Sequence, residues 1–241
     1  VTLFDQVLAL GDDALVAAQR MSEWCARAPQ LEEDVALANI ALDLLGQARE
    51  LLSYAGALEG AGRDEDALAY LRDPNEFRNA QLVELPNGDF ATTVAKMLCF
   101  AAYQNLLYQA LVDAPDATLA QIAAKAVKET KYHVDHAVLW TLRLGDGTAE
   151  SHRRMQAGLD EVWPFTHELF ESLALAPGVL GHSLRAPWLA VVEPVLREAT
   201  LRRPVDGWAP TGGRQGVHTE AFSYLVMELQ VVHRAFPDGR W

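Results

Sequence analysis

The chain has 241 residues, half of them hydrophobic, with a formal net charge of −13. That is enough for one large domain with a substantial core, but no apolar run approaches the ~18–20 residues of a membrane span. The acidic balance argues against a nucleic-acid partner, whose affinity comes from lysine and arginine. It suits simple solubility, or a more basic protein partner. The first residues lack the basic start, apolar middle and cleavage site of a signal peptide, so a cytoplasmic chain is expected. Cys25 and Cys99 are far apart in helical patterns and are expected to be buried free thiols.

Helical signals dominate, with Gly and Pro falling mostly between periodic segments. A first helix is expected over Phe4–Ala26, with Gly11, Asp12 and Asp13 marking a break and Pro29 closing the connection. A second starts near Leu31, its first turn carrying Glu32, Glu33 and Asp34, where the helix dipole favours negative charge. Two apolar stripes run along it. One is Leu31, Val35, Ala38, Leu42, Leu45 and Leu52, the other Leu37, Ala41, Leu44, Ala48, Leu51 and Ala55. So broad an arc implies packing on several sides.

Between Gly60 and Asp89 the pattern weakens to a short helix over Arg63–Leu71 and a loop at Pro74, Pro86 and Asn87-Gly88. Asp89 is a natural N-cap for a helix over Phe90–Val112, and a further helix runs from Asp116 to about Leu144, ending at Gly145-Asp146-Gly147. Thr148 and Ser151 open the next, in which Pro164 predicts a kink near Trp163. Shorter helices are expected over Ala186–Leu201 and Gly216–Phe236. No alternating Val/Ile run calls for a sheet. The reading is a single all-α domain over residues 1–241, a four-helix bundle with crossovers and additional C-terminal helices.

Such bundles often house a carboxylate-bridged di-iron centre. It needs an acid from each of two helices and a Glu-x-x-His pair from each of the other two, because positions i and i+3 share a face. The residues three before His133, His136, His152, His167, His182, His218 and His233 are Thr130, His133, Ala149, Pro164, Val179, Gln215 and Gln230, none of them acidic. No histidine precedes His133, and no Asp or Glu lies between Asp89 and Asp113. The standard ligand set is not there, and no metal or catalytic residue is assigned.

What stands in its place is polar. Leu119, Ile122, Ala126, Thr130, His133, Ala137, Trp140 and Leu144 follow one stripe, so His133 is expected to face inward with Glu129 in reach. It reads as a satisfied core histidine or, less economically, as part of an unusual metal site with Glu129, Asp135 and His136. Asn39, Asp43 and Gln47 form a polar line that is either an internal network with Glu129 and His133 or a solvated edge. Trp24, Trp140, Trp163, Trp188 and Trp208 read mostly as core or interface anchors. Arg202, Arg203 and Arg214 are either surface arginines or groups for a ligand phosphate or an acidic partner. In the run Thr211–Glu220, Gly212, Gly213 and Gly216 allow positive φ and close approach. This is either a tight loop and cap or an ordered contact surface built from Arg214, His218 and Glu220, facing the long helices or another subunit. Without GxGxxG, a P-loop, GxSxG or CxxC, nucleotide-binding and hydrolase readings lack support.

The runs Arg27–Arg49, Leu85–Phe90, Ala126–His133 and Thr211–Glu220 closely resemble the PaaC family, and the similarity extends from Leu10 to Trp241. The resemblance implies a ferritin-like fold and a cytoplasmic role in aerobic phenylacetate breakdown. It implies a non-catalytic subunit supporting a di-iron subunit that epoxidises the aromatic ring of phenylacetyl-CoA. Dioxygen is the oxidant, and electrons come from NADPH through a separate reductase. The expected partners are that di-iron subunit, the other subunits including the reductase, and a second copy when the chain is isolated. No cofactor is expected on this chain. It also implies that the catalytic sister subunit has Glu-x-x-His where this chain has Leu44-Leu45-Gly46-Gln47 and Thr130-Lys131-Tyr132-His133. Two readings of other kinds stand beside it: a stand-alone metalloenzyme around Glu129, His133, Asp135 and His136, and a CoA-thioester binding module.

Overall fold

A computed structural model describes residues 1–171, 174–176, 179–237 and 239; Trp241, at the end of the resemblance, lies outside them. The α-helices are α1 (Leu3–Ser22), α2 (Leu31–Glu59), α3 (Glu65–Tyr70), α4 (Gln81–Glu84), α5 (Phe90–Leu111), α6 (Ala117–Gly145), α7 (Ala149–Val162), α8 (Arg185–Glu198) and α9 (Glu220–Ala235). The all-helical class and the two long-helix hairpins, α1–α2 and α5–α6, are those of a ferritin-like bundle. A small antiparallel ribbon pairs β1 (Ala174–Ala176) with β2 (Val179–Leu180). The sequence reading assigned no sheet, since so short a pairing carries no period-two pattern.

The chain divides into two compact units: residues 1–86 with 211–241, and residues 87–210. In the first, α1 packs along α2, and α9 lies against α3 and α4. A capping box between Thr2 and Asp5 starts α1. The helix then runs unbroken through Gly11, Asp12 and Asp13, where a break was expected. Gly11 is there for packing, because a Cβ would sit 2.8 Å from the side chain of Leu52. Asp12 and Asp13 are 0% and 2% exposed, held by arginines described below. The helix ends at Ser22, so Cys25 falls in the connecting turn and is exposed, while Cys99 is buried. Burial pushes the Cys99 thiol up to about 12. The α1–α2 turn is tied by Ala26, whose N–H donates to Asp34 Oδ1 at 2.7 Å.

On α2 the stripe from Leu37 to Ala55 is buried, as expected. The other is covered only in part: Leu52 is buried and Ala38 half-buried, but Leu31, Val35, Leu42 and Leu45 are exposed. The helix is packed on fewer sides than its apolar arc suggested.

In the second unit, Asp89 and Asp116 cap α5 and α6 through their carboxylates, and a Thr148–Ser151 capping box starts α7. α7 gives way to a 3-10 turn over Trp163–Phe170 at Pro164, which lacks the N–H that an α-helix needs there. α5 is buried around most of its circumference, the mark of a core helix. Trp163 and Trp188 are almost wholly buried, their rings 5.3 Å apart. The Trp188 indole N–H donates to the Cys99 carbonyl at 2.9 Å. Trp208 is the opposite case, 79% exposed.

Candidate functional site

On α6 the buried positions are Leu119, Ile122, Ala123, Ala126, Thr130, His133 and Ala137, continuing through Thr141 and Gly145 rather than Trp140 and Leu144. His133 is 2% exposed and so faces inward, as the spacing predicts. Thr130, where a ligating Glu would stand, is fully buried. Its hydroxyl donates to the Ala126 carbonyl at 2.8 Å and accepts from Asn105 Nδ2 of α5 at 3.1 Å. The Asn105 amide also reaches the Val127 carbonyl at 3.1 Å, and its oxygen accepts from Gln109 at 2.6 Å. Here α5 offers amides rather than carboxylates. This is a neutral hydrogen-bond ladder running from buried Thr130 to exposed Gln109, and its donor set does not fit a di-iron centre.

Glu129 is half-buried beside this ladder on α6, and on α2 Gln47 is buried and Asp43 half-buried. None of Asp43, Gln47, Glu129 and His133 is without a partner. The alternative site around Glu129, His133, Asp135 and His136 does not form. Asp135 points to solvent, 61% exposed and bound to Lys131 at 2.6 Å, because it lies two positions from His133 on a helix. His136 is half-buried and stacks on Tyr132. Among the described residues no group of three or more His, Cys, Asp or Glu side chains could hold a metal ion.

The first unit carries a buried ionic constellation of which the sequence reading had singled out only Arg214 and His218 as contact residues, without their partners. Arg72 forms an ion pair with Asp12, the two side chains 2% and 0% exposed, and its Nη1 lies 2.9 Å from Asp12 Oδ2. Arg214 pairs with Asp13 at 2.7 Å and donates to the Arg78 carbonyl at 2.9 Å. Asp13 also accepts from the Ala80 N–H at 2.8 Å. Burial raises the Asp13 carboxyl above the usual range, with Arg214 opposing that shift. Glu84 is fully buried and accepts from His218 Nδ1 at 3.1 Å and from the Thr219 N–H at 2.9 Å. The Arg20 guanidinium donates to its carbonyl at 2.6 Å.

Arg214 and His218 therefore point into their own unit, with side chains 7% and 6% exposed, and only Glu220 of that trio is exposed. Gly216 has φ +83, and a Cβ there would lie 2.1 Å from the Asn75 carbonyl; the glycine is what lets this turn dock. In the second unit Arg203 is paired with Glu193 and Asp206. The signal for the constellation was visible, as two consecutive acids in mid-helix. Their partners, 60 and 201 residues away, were not.

Fold and site together define an all-helical, ferritin-like protein with a neutral ladder at Thr130, where a di-iron protein has a carboxylate. Over residues 1–241 the sequence matches the family model described as phenylacetic acid catabolic protein, and the chain belongs to that family. It is 46% identical to the C subunit of 1,2-phenylacetyl-CoA epoxidase from Escherichia coli (strain K12), over 97% of each chain. No helix among the described residues is long and apolar enough to cross a membrane.

Proposed function

We propose that this chain is a non-catalytic, structural subunit of a 1,2-phenylacetyl-CoA epoxidase. It supports a separate di-iron subunit that inserts one atom of dioxygen into the aromatic ring, with electrons from NADPH delivered by a reductase. The similarity to the Escherichia coli epoxidase subunit, over nearly the whole of both chains, carries the assignment to the complex. The Thr130–Asn105 ladder supports the non-catalytic part, because a threonine hydroxyl already committed to a carbonyl and an amide offers an iron ion no anionic ligand. We assign structural rather than catalytic roles to the polar pair Asp43 and Gln47 of the first unit and, separately, to the pair Glu129 and His133 of the second.

The test is co-expression with the neighbouring oxygenase subunit, followed by sizing, metal analysis and an epoxidation assay. The expected result is a stable complex whose iron stays with the partner when the two are separated. Two irons retained by this chain through gel filtration, or epoxidation by this chain alone, would sink the reading.

A further inference from the structure

Each nitrogen of the enclosed His218 ring faces an oxygen. Nδ1 lies 3.1 Å from Glu84 Oε2, and Nε2 lies 3.2 Å from the Phe77 carbonyl. A neutral imidazole has one N–H and one lone pair, so it serves only one of two acceptors. Water cannot make up the difference, because the side chains of His218 and Glu84 are 6% and 0% exposed. A neutral ring beside an ionised Glu84 would press a lone pair against an oxygen, an uncompensated buried contact. A second ring proton, carried on Nδ1, removes the conflict and pairs the carboxylate. The Phe222 ring lies against the imidazole, centroids 4.2 Å apart, and an aromatic face suits a cation. The other charged groups around the pair are engaged elsewhere. On α1, Arg20 donates to the Glu84 backbone carbonyl and pairs with Glu23, while Asp12 and Asp13 pair with Arg72 and Arg214. Arg78 donates to the Phe77 carbonyl at 2.7 Å, and Glu220 at the start of α9 is exposed.

We propose that the His218–Glu84 pair is a proton-dependent latch, which fastens the start of α9 onto α4 while Nδ1 keeps its proton and lets go when the proton leaves. Thr219, the N-cap of α9, donates its N–H to the other carboxylate oxygen, Oε1, at 2.9 Å. Glu84 therefore grips both residues at once. In the opened form a solvated histidine is neutral above the ordinary imidazole range, so at alkaline pH the closed form holds one proton more and is lost as pH rises. In acid the opened form gains a proton on the carboxylate, for which the closed pair has no place. The latch is tightest between the ordinary carboxylate and imidazole ranges. The Arg214–Asp13 pair still holds the stretch before it. Loss of the proton frees the junction with α9, not the whole segment.

The test uses the full chain. Hydrogen exchange read by mass spectrometry, with the intrinsic pH dependence of exchange divided out, follows opening of the peptide over residues 217–224. Between pH 6 and pH 9 its opening constant should rise about ten-fold or more, while peptides from α6 stay flat. Glu84→Gln is the control. Its amide oxygen still accepts from Thr219, and its NH2 donates to a bare Nδ1, so no extra proton is needed. That variant should stay closed at both pH values. NMR of the isotope-labelled wild type at pH 6 should show a proton on both ring nitrogens of His218, whose signals are assigned by their loss in His218→Gln. Wild-type opening that does not change with pH would overturn the proposal. So would an unprotonated Nδ1 at pH 6, or a pH dependence that survives unchanged in Glu84→Gln.

Discussion

Arg214 closes to 2.7 Å on Asp13, a carboxylate 201 residues earlier in the chain, and both side chains are almost fully enclosed. The pair fastens the segment before α9 onto α1. Removing one partner strands the other as a buried charge, which costs about 3–5 kcal/mol. Arg214→Ala should therefore lower stability by that order, and Asp13→Asn in the same chain should recover part of it. Burial already raises the Asp13 carboxyl, so its own contribution favours the fold below the unfolded carboxylate range and is lost as pH rises through the folded value. Without Arg214 that shift grows. The Arg214→Ala defect should be larger at pH 8 than at pH 5, as urea melts at the two pH values would show.

Gly56 and Gly46 lie on one helix and predict opposite outcomes. A Cβ at Gly56 would fall 2.1 Å from the Arg63 carbonyl oxygen, a backbone atom with no room to yield. Gly56→Ala should cost about 1–3 kcal/mol through overpacking. At Gly46 a Cβ would meet nothing within 4 Å among the described residues. Gly46→Ala should leave the isolated fold as stable or stabilise it by up to ~1 kcal/mol. Thermal melts of the two variants, compared at low protein concentration, give the contrast.

These cases show what could be read from the sequence. Helix starts were legible because a cap is a local event: Asp89, Asp116 and Thr148 each bond an N–H three residues on. So was the inward face of His133, fixed by helical period. The Asp12–Asp13 pair was misread as a break because adjacent acids in mid-helix look unfavourable until Arg72 and Arg214 arrive from distant segments. The outer stripe of α2 looked like core because periodicity marks apolar faces without saying what covers them.

Asp206 gathers the loop after α8. It accepts from Trp163 Nε1 at 3.0 Å and Arg203 at 2.6 Å, and pairs with Arg185 at 2.8 Å. Burial works against its charge, but the Trp163 and Arg203 hydrogen bonds and the Arg185 charge prevail and hold it at about 2. A depressed carboxyl contributes stability above its unfolded value near 3.8, lost as pH falls from there to about 2. Because the side chain is 37% exposed, the contribution is discounted for solvent to about 1 kcal/mol. Asp206→Asn should cost that much at pH 7 and little at pH 2, provided both proteins are still folded there by circular dichroism.

The neutral ladder on α6 gives the sharpest separation of structure from chemistry. Thr130→Glu would write a Glu-x-x-His pair with His133 into the chain. If the missing acid alone kept iron away, this variant would load it. A bridged pair of irons also needs acids from the other helices, and α5 offers Asn105 and Gln109 where one would have to stand. The new carboxylate would displace the Asn105 bond and sit at a position now fully buried, where an ionised group without a cation is costly. Thr130→Glu should lower the melting temperature, more at pH 8 than at pH 5, and should hold no stoichiometric iron after loading and gel filtration. His133→Ala should lose a buried polar contact worth about 1–3 kcal/mol, with turnover per intact complex unchanged. Iron retained by the first variant, or turnover lost in the second at unchanged stability and assembly, would move the chemistry onto this chain.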